Sequence, residues 1–138
     1  EAKWREIEMA REYFKGTWHE DRSFSQAVAT RGGRTVWLAG VGMWRDKDGN
    51  LLAGDFEAQV RASFAQIEET LGRTGGKLAD IVTMTVFILD VRHGNEFVEL
   101  RKEYFSDGFP GSALITVAGF AKPEMMVEIQ AIAVVGDE

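Results

Sequence analysis

Glu128, Ser112, two histidines and the Gly40-Val41-Gly42 loop are the places where this sequence could do chemistry. Glu128 lies in an alternating run in which Val127, Ile129, Ala131 and Ala133 would share one strand face, with Glu128 and Gln130 opposite. The alternation by itself assigns that carboxylate no role. Ser112 follows the Pro110-Gly111 turn without a G-x-S-x-G frame or an adjacent base, which makes its hydroxyl a weak nucleophile. His19 and His93 are too far apart in sequence for a metal-binding spacing, so no metal site is expected. Gly40-Val41-Gly42 lacks the spacing and following helix of a phosphate loop and is better explained by close backbone approach. None of these features implies a cofactor.

Composition narrows the classes further. The 138 residues, 45% of them hydrophobic, suit one domain with one core. The absence of cysteine removes disulfides, thiolate nucleophiles and cysteine-bound metals, and it fits an expected cytoplasmic setting. Sixteen basic against twenty-two acidic residues give a net charge of −6, which repels phosphate backbones on average. Trp4, Trp18, Trp37 and Trp44 have no interleaved basic residues of the kind that accompany base-stacking platforms. Nucleic acid is therefore not expected as a partner. No apolar run reaches the roughly 18 residues that span a bilayer, and no membrane association is expected.

The elements that must position these residues can be read from periodicity. Trp4, Ile7, Ala10, Tyr13 and Phe14 predict an amphipathic helix over residues 3–15. Residues 23–30 and 35–44 read as strands joined by Arg31-Gly32-Gly33-Arg34, a hairpin turn, and Lys47-Asp48-Gly49-Asn50 marks another turn. Asp55 caps a long helix whose buried stripe is Phe56, Val60, Phe64, Ile67 and Leu71. A strand follows over 81–89, with Val82, Met84, Val86 and Ile88 on one face and Thr83, Thr85 and Phe87 on the other. A helix over 95–105 and strands near 112–118 and 125–135 complete the order α-β-β-α-β-α-β-β. The expected fold is α+β, one sheet with both long helices on one face and a mixed second face suited to subunit packing. On that second face Thr83, Thr85, Leu114, Thr116 and Ala118 are expected to be buried by self-association.

FSQAV, GDFEAQVRASFAQIEETL, LADIVTMTVFILD and VEIQAIAVV, taken together, resemble the successive signatures of the RidA/YjgF family from about residue 24 to 135. The resemblance implies a chorismate-mutase-like fold, a homotrimer whose sheets close a barrel, and small-molecule clefts between subunits. It leaves residues 1–20 as an N-terminal helical extension to a RidA-like domain over 21–138. In typical members an arginine grips the carboxylate of an imino acid in a bidentate pair. Here that position is Ser112. Phe24 keeps the ring of the family tyrosine without its hydroxyl, the S-G-Q loop reads Ala39-Gly40-Val41, the asparagine position is Val98, and Leu114 stands where cysteine or threonine is usual. Glu128 survives, and the resemblance implies that it orients the water that attacks the imine carbon and can take its proton as a general base; the competing reading is a structural carboxylate paired where chains pack, since burial perturbs both kinds alike.

Three further residues are candidates for the cleft. His19 precedes the cleft strand, Arg22 lies close enough to Phe24 to replace the missing cation, and Arg101 lies one turn from Val98. For all three a surface position is the plainer expectation. The resulting expectation is a RidA-like, deaminase-type hydrolase of a small reactive enamine, imine or related metabolite. Without the arginine, a simple 2-imino acid is not the expected substrate, and the apolar replacements favour a less charged or aromatic one. The alternatives are a non-catalytic trimer that binds a small molecule or a partner, and a ribonuclease, which the acidic charge argues against.

Overall fold

Asp55 opens the longest helix, α1 (Phe56–Arg73), by accepting the Ala58 N–H at 3.0 Å. In the computed structural model, which describes residues 8–16, 21–106 and 108–136, α1 lies on a four-stranded sheet. The strands are β3 (Arg34–Trp37), β4 (Ile81–Ile88), β5 (Gly111–Thr116) and β6 (Val127–Val135), in the order β3-β6-β4-β5. β4 and β5 are parallel and the other pairs are antiparallel. The parallel pair needs a crossover, which a 3-10 turn (Val91–His93) and α2 (Gly94–Arg101) supply. A separate two-stranded sheet pairs β1 (Ala10–Phe14) with β2 (Ala27–Arg31).

One face of the large sheet is the core. Met84, Val86 and Ile88 from β4 and Val127, Ile129, Ala131 and Ala133 from β6 pack under Val60, Phe64, Ile67 and Leu71 of α1, as the period-2 and period-3.6 patterns require. Phe97 and Leu100 of α2 join the same cluster, so both helices cover one face. Gln59 is a fully buried polar residue on the same helix as that stripe, α1. Its Nε2 donates to the carbonyls of Leu52 (3.0 Å) and Glu124 (2.8 Å), and its Oε1 accepts the Met126 N–H at 2.8 Å. One amide thus ties α1 to the loop before it and to the approach to β6, two residues from Glu128.

The structure corrects several expectations. Residues 10–14 of the anticipated N-terminal helix are a strand; residues 1–7 lie outside the described residues. Arg11 and Tyr13 turn inward while Ala10, Glu12 and Phe14 stay exposed, so a period of two coexists with the helical spacing in this stretch. Tertiary contacts decide between them. β1 pairs along β2, and Arg11 donates to the carbonyls of Ala79 (2.9 Å) and Val134 (2.8 Å) and pairs with Asp80.

The turn at Gly32-Gly33 has the expected positive φ angles of 72° and 77°, and a Cβ at Gly33 would meet the Val135 carbonyl. The strands it joins nevertheless choose other neighbours, β2 pairing with β1 and β3 with β6. The strands expected over 23–30 and 35–44 shrink to Ala27–Arg31 and Arg34–Trp37, and the helix expected over 95–105 ends at Arg101. Leu114 pairs with Val86, which places it on the helix face and not on the open face assigned to it from sequence.

Candidate functional site

Strand parity divides the candidate residues into two groups. Paired residues on neighbouring strands point to the same side of a sheet. Ser112 pairs with Met84 and Leu114 with Val86, both on the helix face. Glu128 pairs with Phe87, on the opposite face. Within one chain, therefore, Ser112 and Glu128 sit on opposite sides of β4.

The helix-face group closes around a cavity of about 210 Å³ lined by Arg22, Phe24, Val98, Arg101, Ser112 and Leu114. The segment before β2 is brought there by Ser25, whose N–H donates to the Pro110 carbonyl at 2.9 Å beside an isolated parallel bridge to Gly111. Arg101 is 2% exposed, in contrast to the surface position expected for it. Its Nη1 donates to Ser112 Oγ at 2.6 Å, its Nε to Ser23 Oγ at 3.1 Å and its Nη2 to the Arg22 carbonyl at 3.2 Å. The guanidinium also lies over the rings of Phe97 (5.1 Å) and Phe24 (6.0 Å). Burial, and then the neighbouring Arg22 charge, push the Arg101 pKa down to about 10, so the group remains a cation at neutral pH. Arg22 is held by Asn95, whose Oδ1 accepts from its Nη1 at 2.7 Å. A cation therefore stands beside Ser112, reaching it from α2 and not from β5.

Ser23 is the residue of this site that the sequence did not disclose. It is the one non-glycine residue with positive φ among those described (62°), a conformation that costs a serine about 1 kcal/mol or more. Its buried hydroxyl donates to the Val98 carbonyl at 2.8 Å while accepting from Arg101, and these bonds offset the strain. No sequence pattern marks it, because serine is an ordinary turn residue.

On the other face, Glu128 lines a shallower concavity with Phe87, Val117, Gly119 and Phe120. A Cβ at Gly40 would overlap Glu128 Oε2, so glycine is what lets the carboxylate lie against the backbone there. Val41 continues the ladder, donating to and accepting from Ile129 at 2.8 Å, so its N–H is committed. The Gly40 N–H has no acceptor among the described residues. Ala39 belongs to the same loop and lines neither of these two concavities. His19 lies outside the described residues. His93 stacks on Phe56 with ring centroids 4.3 Å apart and lines neither concavity. Among the described residues no group of three His, Cys, Asp or Glu could hold a metal ion, and no helix is long and apolar enough to cross a membrane.

These features define a class: a small α+β protein with one mixed sheet, helices on one face and ionisable groups on both. A family profile described as Endoribonuclease L-PSP matches residues 19–135, and the chain belongs to that family, the RidA/YjgF family of the sequence resemblance. It is 31% identical over 114 residues to the human 2-iminobutanoate/2-iminopropanoate deaminase, covering 82% of this chain and 80% of the relative. It is 29% identical over 110 residues to a RutC family protein of Pyrococcus horikoshii, covering 80% of this chain and 85% of that one. Among solved structures, a Rid-family protein of Yersinia pestis matches with a TM-score of 0.79 at 24% identity, over 91% of this chain and 98% of the other. A YjgF/YER057c/UK114-family protein of Mycobacterium tuberculosis matches with a TM-score of 0.65 at 27% identity, over 91% and 100%.

Proposed function

We propose that this protein is a RidA-type hydrolase that acts on a small imine or enamine metabolite in a cleft between copies of the chain. The observation that carries the reading is the Glu128 carboxylate lying against Gly40 in an open concavity, within a chain related to named imine deaminases. Glu128 would accept a proton from the attacking water as its oxygen bonds to the imine carbon, and return a proton to the nitrogen. The resulting carbinolamine collapses to a carbonyl compound and ammonia, so one water is consumed for each ammonia released. The Gly40 N–H would orient the substrate. The test is ammonia and 2-oxobutanoate release from freshly generated 2-iminobutanoate, in stoichiometric amounts and faster than the spontaneous reaction. Rates no better than buffer, with this and with larger apolar imines, would sink the hydrolytic reading.

The opposite placement of Glu128 and Ser112 supports a site shared between chains, because one chain cannot direct both side chains into one cleft. The open sheet face supports it independently. Trp37 is 75% exposed there, beside Ile132 and near Thr85 and Gln130, and Ile115 is also exposed. Such an apolar patch on a sheet is expected to be covered. A homotrimer is the assembly proposed, and light scattering should return three times the 15.4 kDa chain mass. A stable monomer at micromolar concentration would rule out the shared cleft.

A further inference from the structure

We propose that Arg101, delivered from α2 to the side of Ser112, is the anion anchor of this site, so that the substrate carries a carboxylate on a short apolar chain. The inference rests on reading the cavity around Arg101 as part of the substrate site of the proposed hydrolase. It runs against the plain meaning of the sequence, in which serine at the arginine position and its apolar neighbours favour a less charged or aromatic substrate.

Three observations carry it. The first is an uncompensated charge. The partners of the Arg101 guanidinium are two hydroxyl oxygens and a carbonyl, and no carboxylate pairs with it among the described residues. A buried cation without a counter-ion is costly, and the neighbouring Arg22 makes it more so. The second is spare hydrogen-bonding capacity. A guanidinium has five N–H groups, and three are used, which leaves one on each of Nη1 and Nη2. These two are the pair that grips a carboxylate in a fork. The third is the cavity itself. Arg101 and Arg22 border it together, and its other walls are Phe24, Val98, Leu114 and the Ser112 hydroxyl. The wall that one chain supplies, a space of about 210 Å³ with a cationic end and apolar sides, fits the carboxylate end of a small acid.

A purely structural strut would explain the bonds to Ser23, Ser112 and the Arg22 carbonyl. The Phe97 and Phe24 rings offset part of the cost of burying its charge, but a neutral donor would satisfy the same hydroxyl and carbonyl acceptors at no comparable desolvation cost. Ser112 then acquires a role as well. Its small side chain leaves room for the guanidinium that arrives from α2, and its hydroxyl fixes the position of Nη1. Serine here is the counterpart of a relocated arginine.

The experiment is isothermal titration of the full-length protein with 2-oxobutanoate and with its neutral amide, 2-oxobutanamide. The wild type is expected to bind the acid about 10- to 100-fold more tightly, the scale of hydrogen bonds to a charged group. Arg101→Gln should remove that preference, acid affinity falling about 10- to 100-fold further than amide affinity. Where Arg101→Gln does not fold, Arg101→Lys serves, because it keeps the charge and loses the fork. A drop of about tenfold or more in acid affinity relative to amide affinity supports the anchor. Equal wild-type affinity for acid and amide overturns the proposal, as does an acid preference undiminished in the variant that folds. Turnover is not read in this experiment. Acid binding without imine hydrolysis leaves the anchor standing and defeats the hydrolytic reading, whereas hydrolysis without acid preference does the reverse.

Discussion

Glu128→Gln is expected to lower turnover by about 10²–10⁴-fold while the assembly stays intact, the usual contribution of a general base. The substitution keeps shape and hydrogen-bonding reach but cannot accept the proton of the attacking water. Gly40→Ala supplies an independent route to the same outcome. A methyl group there would occupy the position of Glu128 Oε2, and the carboxylate would have to rotate away. The displaced group is the tip of a flexible side chain and Gly40 does not need a positive φ, so little stability should be lost. Both variants should therefore fold and assemble as the wild type does and share a kinetic defect in kcat. If Glu128 is instead an interface carboxylate, Glu128→Gln should weaken the assembly in size-exclusion chromatography, because its partner is left poorly compensated. Intact assembly with unchanged turnover in both variants would remove Glu128 from the mechanism.

Gln59→Leu is expected to destabilise the protein by about 2 kcal/mol or more, although leucine nearly matches glutamine in volume. The cost lies in what is left behind. The Glu124 carbonyl and the Met126 N–H, now satisfied by one buried amide, would face a hydrocarbon side chain, and each unsatisfied buried group costs about 1–3 kcal/mol, while the Leu52 carbonyl keeps its bond from the Asp55 N–H. In urea, where small proteins show slopes of about 1–3 kcal/mol per molar, the midpoint should fall by about 1–2 M. Any self-association makes that midpoint concentration-dependent, so both proteins are compared at one concentration. Because the Met126 N–H is the bond nearest β6, amide exchange in the variant should quicken first from Met125 to Glu128. A loss below 1 kcal/mol would mean that water replaces the amide and that this interior is wetter than its burial indicates.

Local physics made much of the fold legible. Asp55 followed by an apolar residue every three or four positions can hardly be anything but a capped helix, and α1 starts where that signal does. The alternations in β4 and β6 likewise determine which residues face the core, since a slip of one residue would turn Val127, Ile129 and Ala131 outward. The family, too, is written in those stretches. The segment around Tyr13 is ambiguous for the same local reason, because Ala10, Tyr13 and Phe14 satisfy a helical spacing while Arg11 and Tyr13 satisfy a strand alternation. Only the pairing with β2 and the Arg11 contacts to Ala79, Asp80 and Val134 chose between them.

The candidate site divides along the same line. Phe24, Val98, Ser112 and Leu114 border one cavity and Glu128 another, and all five are positions that the family resemblance singles out. What the sequence by itself determined, then, is the element types, the core face and the positions that border a cavity, because these follow from periodicity and short-range propensity. Whether the cavity holds a cation was decided by tertiary structure alone. Arg101 and Ser112 belong to different elements, and their 2.6 Å contact depends on how α2 seats on β5, how Phe97 anchors that seat and how Ser23 bends to receive the guanidinium. A long side chain carries its charge several ångströms from its own Cα, so the residue missing from a motif can be present in the site.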